Sequence, residues 1–309
     1  MKTLPKIICS SVIRAANRGD SHGGIYIVDC ESGENKKLLD WDKSDIDWDG
    51  RGGDRGVRGM SFYKDFLYAA AGDEVFCFDE KMGVVNSWRS PYLKHTHEVC
   101  RVGNLLYIIA NLFDSILVLD MDKQEWSHAW HFQGEHQNKA VKYDPTVAGG
   151  AHPIDKLHLD AVYIENGVLY YCGAHMKDLR ALDLETGDCI IYQDGLGHTH
   201  NARPYGGGVL FNMAFQHKTC LMDIFKKIRW EGTTPLYKKE DMTYTDLPKE
   251  HAQQGYVRGM VVNAPLVVVG NAPATINIFE IGGSSEPIKS IQLSNDIRNS
   301  ICGIARYEW

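Results

Sequence analysis

A chain of 309 residues, 44% hydrophobic and 24% charged, has the make-up of an ordinary soluble globular protein with a large core. The formal charge of −7, with no clustered Lys/Arg patch, excludes a phosphate-backbone surface, so nucleic acid is not an expected partner. No stretch approaches the roughly 18 to 20 apolar residues of a membrane span, and Met1 to Arg14 lacks a signal peptide's apolar core; no membrane partner and a cytoplasmic location are expected.

The first predicted strands are Ile7 to Ser11 and Ile25 to Asp29. From Arg58 onward one pattern recurs: a strand, a Gly, Asn or Asp turn, a second strand, a short loop and a third strand closed by an acid. The first unit runs from Arg58-Gly59-Met60 through Phe66 to Ala70 and on to Asp79. The second begins at His97 and closes at Asp120, the third spans Asp160 to Asp183, the fourth His200 to Asp223 and the fifth Arg258 to Glu280. Cys302 to Arg306 begins a sixth unit whose remaining strands lie at the N-terminus. Short strands in units of about 40 residues or more, with almost no helical periodicity, predict an all-β fold. Specifically, residues 1–309 are expected to form one six-bladed β-propeller closed by overlap of its terminal strands, which also removes exposed sheet edges.

Steps between the aligned positions 58, 97, 160, 200, 258 and 302 alternate between about 40 and about 60 residues. The extra residues fall in Trp130 to Leu157, in Trp230 to Tyr256 and around Trp41 to Gly56. All three precede an innermost strand, so they are expected to form a collar at one mouth of the central channel, where binding determinants concentrate.

Innermost strands line a propeller's axis, and side chains two apart face the same way. One level of the channel is therefore expected to carry Arg58, His97, Asp160, His200, Arg258 and Cys302, and the level above it Gly56, His95, His158, His198, Tyr256 and Ser300. Imidazole and carboxylate are ligands for Zn, Fe(II) or Mn, so a divalent metal is the expected cofactor. Either His95, His158 and His198 or His97, Asp160 and His200 could hold it, with the other level supplying support or acid–base chemistry. The site expectation places His97, His158, Asp160 and His200 on the metal and gives catalytic roles to His95, His198, Arg58, Arg258 and Tyr256. Arg58 and Arg258 suit the carboxylate or phosphate of a small anionic partner, because a guanidinium offers two parallel donors. Glu98 and Asn201, one residue beyond their His, are expected to point away from the axis.

The other candidates read as structural. The eight Cys include no CxxC pair and sit mostly in apolar strands, where a thiol behaves as a small hydrophobe; Cys302, at the channel position, is the exception. His128, His131, His136 and His152, with Glu135 and Asp144, lie in or beside the second insertion as solvated loop residues or a lid, and His251 lies in the third. The run Asp40, Asp42, Asp45, Asp47, Asp49 lacks an EF-hand's ligand order, and Gly50 to Gly56 lacks the helix of a phosphate loop.

His158-Leu159-Asp160-Ala161, His198 to Arg203 and the two Arg-Gly-Met triplets at Arg58 and Arg258 carry a family resemblance. In architecture the chain resembles six-bladed propellers of the SMP-30/gluconolactonase-like superfamily. It is more closely similar to bacterial propellers of unassigned function whose blades begin His-Leu-Asn-Gly, Pro-His-Ser-Pro-Arg or Arg-Gly-Leu. The resemblance implies the fold and not lactone hydrolysis, because gluconolactonase-like enzymes hold their metal with Glu, Asn and Asp. The expectation is a metal-dependent lyase, isomerase or hydrolase acting on a small anion. The alternatives are a metal-free lyase using His and Arg alone and a non-catalytic propeller that binds a ligand or a protein through its collar.

Overall fold

The computed structural model describes residues 4–43, 45–46, 55–134 and 138–309. Asp47, Asp49, the stretch 50–54, Glu135 and His136 lie outside the described residues. Six antiparallel sheets follow one another around a closed ring. Their innermost strands are Val57–Tyr63, Thr96–Val102, Leu159–Glu165, His200–Tyr205, Gly255–Asn263 and Asn299–Arg306, which head blades 1 to 6. Closure is as expected: Asn299–Arg306 pairs with Lys6–Ile13, followed outward by Gly23–Asp29 and Asn35–Asp40. Among the described residues no helix is long and apolar enough to cross a membrane.

Each blade carries a fourth, outermost strand beyond the three expected. Asn35–Asp40 and Val84–Arg89 show why it escaped notice: their residues are mostly exposed, so the apolar alternation that marks the inner strands is missing. Blade 2 has a fifth strand, Lys139–Tyr143, on its outer edge. This corrects the collar. Part of the second insertion extends a sheet, while residues after Tyr143 lie against the connection between blades 1 and 2, where Ser90 Oγ donates to the Pro145 carbonyl (2.7 Å) and Tyr92 Oη to that of Val147 (2.8 Å).

Six apolar cores lie between adjacent blades. Between blades 6 and 1, Ile8 and Ile25 meet Phe62, Phe76 and Phe78; between blades 5 and 6, Val268 and Ile276 meet Ile7, Val28 and Ile301. Strands inside the blades, such as Lys6–Ile13 and Leu266–Ala272, are thus buried on both faces by two neighbours, and Cys9, Cys77, Cys172 and Cys220 are buried free thiols acting as small hydrophobes. Burial pushes the Cys172 thiol well above its ordinary value. Near the axis the backbones crowd together: a Cβ on Gly303 would lie 2.2 Å from the Arg58 carbonyl oxygen, so only glycine fits.

Candidate functional site

Every innermost strand is irregular at the level of the aligned position. The ladder slips between Val57 and Met60, Thr96 and Val99, Leu159 and Ala161, His200 and Arg203, and on both sides of Arg258. In blade 6 the slip leaves Cys302 without a register partner. A bulge re-aims consecutive side chains, so strict alternation fails here. Glu98 and Asn201 do not point away from the axis, as alternation required. Both line the channel chamber with Arg58, His97, Asp160, His200, Arg258 and Cys302.

The chamber is small, about 20 Å³, room for roughly one water-sized group. Its best-built element joins blades 3 and 4. His200 Nδ1 lies 2.8 Å from Asp160 Oδ2, and the two side chains are 4% and 0% exposed. Cys172 Sγ donates to the other Asp160 oxygen at 3.7 Å, a neutral donor given its raised pKa. With Nδ1 committed to the carboxylate, Nε2 is the free lone pair of a neutral ring, and it has no hydrogen-bond partner among the described residues. Burial holds the His200 pKa below its ordinary value although Asp160 pulls the other way.

Glu98 faces this pair from blade 2. Burial raises its carboxyl to about 7, against the opposing pull of Arg203, 3.6 Å away, and of a 2.9 Å hydrogen bond donated by Asn201 Nδ2. Asn201 Oδ1 accepts from Asn212 Nδ2 (3.0 Å), and Asn212 Oδ1 from Thr219 (2.8 Å), so a polar ladder fixes Glu98 from blade 4. Because the native state holds this proton and the unfolded chain releases it near 4.5, stability falls as pH rises from 4.5 to about 7 and is flat above. Glu98→Gln is expected to remove that loss, gaining on the order of 3 kcal/mol at pH 8.5 relative to pH 4.5 in urea unfolding. An equal effect at both pH values would contradict it.

The upper level does not converge as a triplet. His95 and His158 both adopt left-handed backbone conformations, with φ of 51° and 50°, just before their strands. His158 turns toward the lower level, its ring 5.9 Å from that of His97 and 4.9 Å from that of His175, with Nδ1 2.9 Å from Asp155 Oδ1. His198 is exposed and stands apart, tied to the Ala174 carbonyl at 2.7 Å. Among the described residues no group of three His, Cys, Asp or Glu side chains is placed to hold a metal ion. Of the second insertion's described histidines, His131 is a buried strand residue, bonded to the Phe113 carbonyl at 2.9 Å, His128 packs edge-on to Trp130, and His152 is exposed with its ring 5.1 Å from that of His131.

Arg258 links the chamber to a vestibule of about 520 Å³ at the mouth, lined also by Arg14, Phe215, Lys249, Glu250 and Tyr256. Arg258 Nη2 donates to Tyr256 Oη at 2.8 Å, and the Tyr256 ring stands 5.9 Å from that of His200. The third insertion reaches the mouth through Lys249, Glu250 and His251, as a collar requires. Arg14 and Phe215 lie in the loops between the second and third strands of blades 6 and 4, Phe215 within the 3-10 turn Ala214–Gln216, and carried no signal in the sequence. Gly255, at φ 81°, lets the strand pass over His217, whose Nδ1 would lie 1.7 Å from a Cβ there.

No family model matches the chain, and no curated protein matches it in sequence. Among solved structures it is similar to a protein of unknown function from Bacteroides caccae, with a TM-score of 0.61, 10% identity and coverage of 97% of this chain and 98% of that one. It is similar to a chain of a nidogen/laminin complex, with a TM-score of 0.62, 10% identity and 97% of both chains covered. A streptogramin B lyase structure matches over 74% of this chain and 84% of that one, with a TM-score of 0.45 and 10% identity. At 10% identity the first two likenesses show the fold alone.

Proposed function

We propose that the protein is an enzyme that moves a proton on a small carboxylate held at the neck between vestibule and chamber, by elimination or isomerisation. The observation that carries this reading is the buried Asp160–His200 pair, whose Nε2 is left to the chamber. A neutral imidazole held by a buried carboxylate is a general base. In the proposed step Nε2 takes a proton from the carbon next to the substrate carboxylate. The electron pair moves onto the carboxylate as an enolate, which the Arg258 and Arg58 guanidiniums stabilise. It then returns to expel a leaving group from the neighbouring carbon, or to take a proton elsewhere along the chain. Glu98, protonated up to about pH 7, delivers the proton in either case. The chamber admits only the reacting end, so the body of the substrate stays in the vestibule.

The test is exchange in D2O, followed by NMR, over a set of 2-hydroxy, 3-hydroxy and unsaturated carboxylates. Exchange next to the carboxylate by the wild type, lost in His200→Gln, supports the reading; exchange that survives His200→Gln, or none with any acid, overturns it. Activity is also expected to survive dialysis against EDTA, with no gain in thermal stability from added Zn, Mn or Fe(II). Loss on dialysis and recovery with one of those ions would instead support the metal-dependent enzyme expected from the histidine pattern, with His97, His158, Asp160 and His200 as its ligands.

A further inference from the structure

The rim of blade 3 differs from that of the other blades. Among the described residues each of the others carries a basic side chain on its outermost strand, Lys37 in blade 6, Arg89 in blade 1, Lys142 in blade 2, Arg229 in blade 4 and Lys289 in blade 5. Such charges keep sheet edges from meeting one another. The outermost strand of blade 3, Cys189–Asp194, has none and presents Ile190, Ile191 and Tyr192, exposed by 63%, 59% and 44%. Its one acid, Asp194, pairs with Lys226 at 2.7 Å. Lys226 lies in the turn joining the last two strands of blade 4, and directly before it stand Ile224 and Phe225, exposed by 66% and 80%. At about 150 to 250 Å² for a large side chain, the apolar residues of this rim expose on the order of 600 Å². That is the upper end for a monomer's largest patch, roughly 300 to 600 Å², and close to the roughly 800 Å² that each partner gives to a stable interface.

Shape decides the partner. At the other end of the strand, Ile190 borders a groove of about 510 Å³ walled by Val168, Ala181, Leu182 and Leu184. Two of the groove's acids are engaged: Asp183 accepts from the Glu185 and Thr186 amides (2.8 and 2.9 Å), and Asp188 pairs with Lys139 at 2.8 Å. The strand therefore has a projecting phenyl ring beside its Asp194 end and an apolar groove at its Ile190 end. A two-fold axis across its middle exchanges the ends, as a self-complementary interface requires. The Asp194–Lys226 pair adds no net charge between the copies. A slip in the ladder opposite Leu179 and Arg180 leaves Tyr192 without a register partner, so the contact is made by side chains and not by extending the sheet.

We propose that two copies of the chain associate through this rim, about a two-fold axis crossing Cys189–Asp194 near Ile191, with Phe225 of each copy seated in the groove of the other. The proposal is independent of the chemistry in the channel.

Sedimentation equilibrium of the full chain, with circular dichroism to confirm folding, tests it. The wild type is expected to sediment at the mass of two chains at about 50 μM. Phe225→Glu at one end of the strand and Ile190→Lys at the other, both exposed positions, are each expected to weaken association about a hundredfold and leave single chains. Val84→Lys, an equally apolar and half-exposed position on the outermost strand of blade 1, is expected to leave the dimer intact. A wild type that sediments as a single chain overturns the proposal and leaves the rim to a partner of another kind. A dimer that survives either rim substitution, or that Val84→Lys dissociates as readily, overturns it as well.

Discussion

His200→Gln is expected to lower kcat by about 10³ to 10⁴ with little change in KM. Gln keeps a polar side chain of similar reach but has no basic nitrogen, so the loss falls on the proton-transfer step, while binding rests on Arg258 and the vestibule. Asp160→Asn should come close to the same loss, about 10² to 10⁴, for a different reason. An amide no longer selects the tautomer with the proton on Nδ1, nor does it stabilise the imidazolium formed during reaction. The pH profile separates the groups. The base must be neutral, and burial holds its pKa below the usual 6.5, so the acid limb lies below that value. The acid must keep its proton, and Glu98 loses it near 7, so the alkaline limb lies there. Wild-type kcat should follow a bell whose alkaline limb lies near 7. Glu98→Gln should abolish the alkaline limb along with most of the activity, and a limb that persists in that variant would remove Glu98 from the reaction.

Deleting residues 299–309 is expected to abolish cooperative folding. The segment supplies the innermost strand of blade 6, paired with Lys6–Ile13 from Ile7 to Ile13, so its loss strips one face of that ladder and opens the ring. It also removes Ile301 from the core between blades 5 and 6, and Tyr307 and Trp309 from their edge-on contacts with Phe62 in blade 1. A graded version keeps the ring closed: Ile301→Ala, at a fully buried position, should cost about 2 to 5 kcal/mol. A monomeric, cooperatively melting truncated chain in calorimetry would show that closure is dispensable.

The ring was legible because each blade repeats its apolar strands and closing acid, and because the unpaired strand at Cys302 had to find partners at Ile7 and Ile25. The fourth strands were not, since a mostly solvent-facing strand such as Asn35–Asp40 has no apolar rhythm to read. At the site, reading two-residue alternation from His97, Asp160 and His200 placed these residues and both arginines in one chamber. The same rule misdirected Glu98 and Asn201, because a bulge leaves no mark in residue type. It also stacked His95, His158 and His198 as one layer, whereas left-handed turns at two of them and a carbonyl tie at the third send them to different neighbours. Arg14 and Phe215 belong to turns whose meeting at the mouth depends on the closed ring.

The slip repeated in every innermost strand separates two kinds of information that a regular ladder would interleave. In an unbroken strand, the residue after a channel-facing one belongs to a core, and changing it risks the fold. In blades 2 and 4 two neighbouring positions, His97 and Glu98 or His200 and Asn201, both belong to the lumen, and the apolar residues that hold the blades together begin after them. At these four positions a substitution changes the chemistry of the lumen without removing an apolar residue from a core.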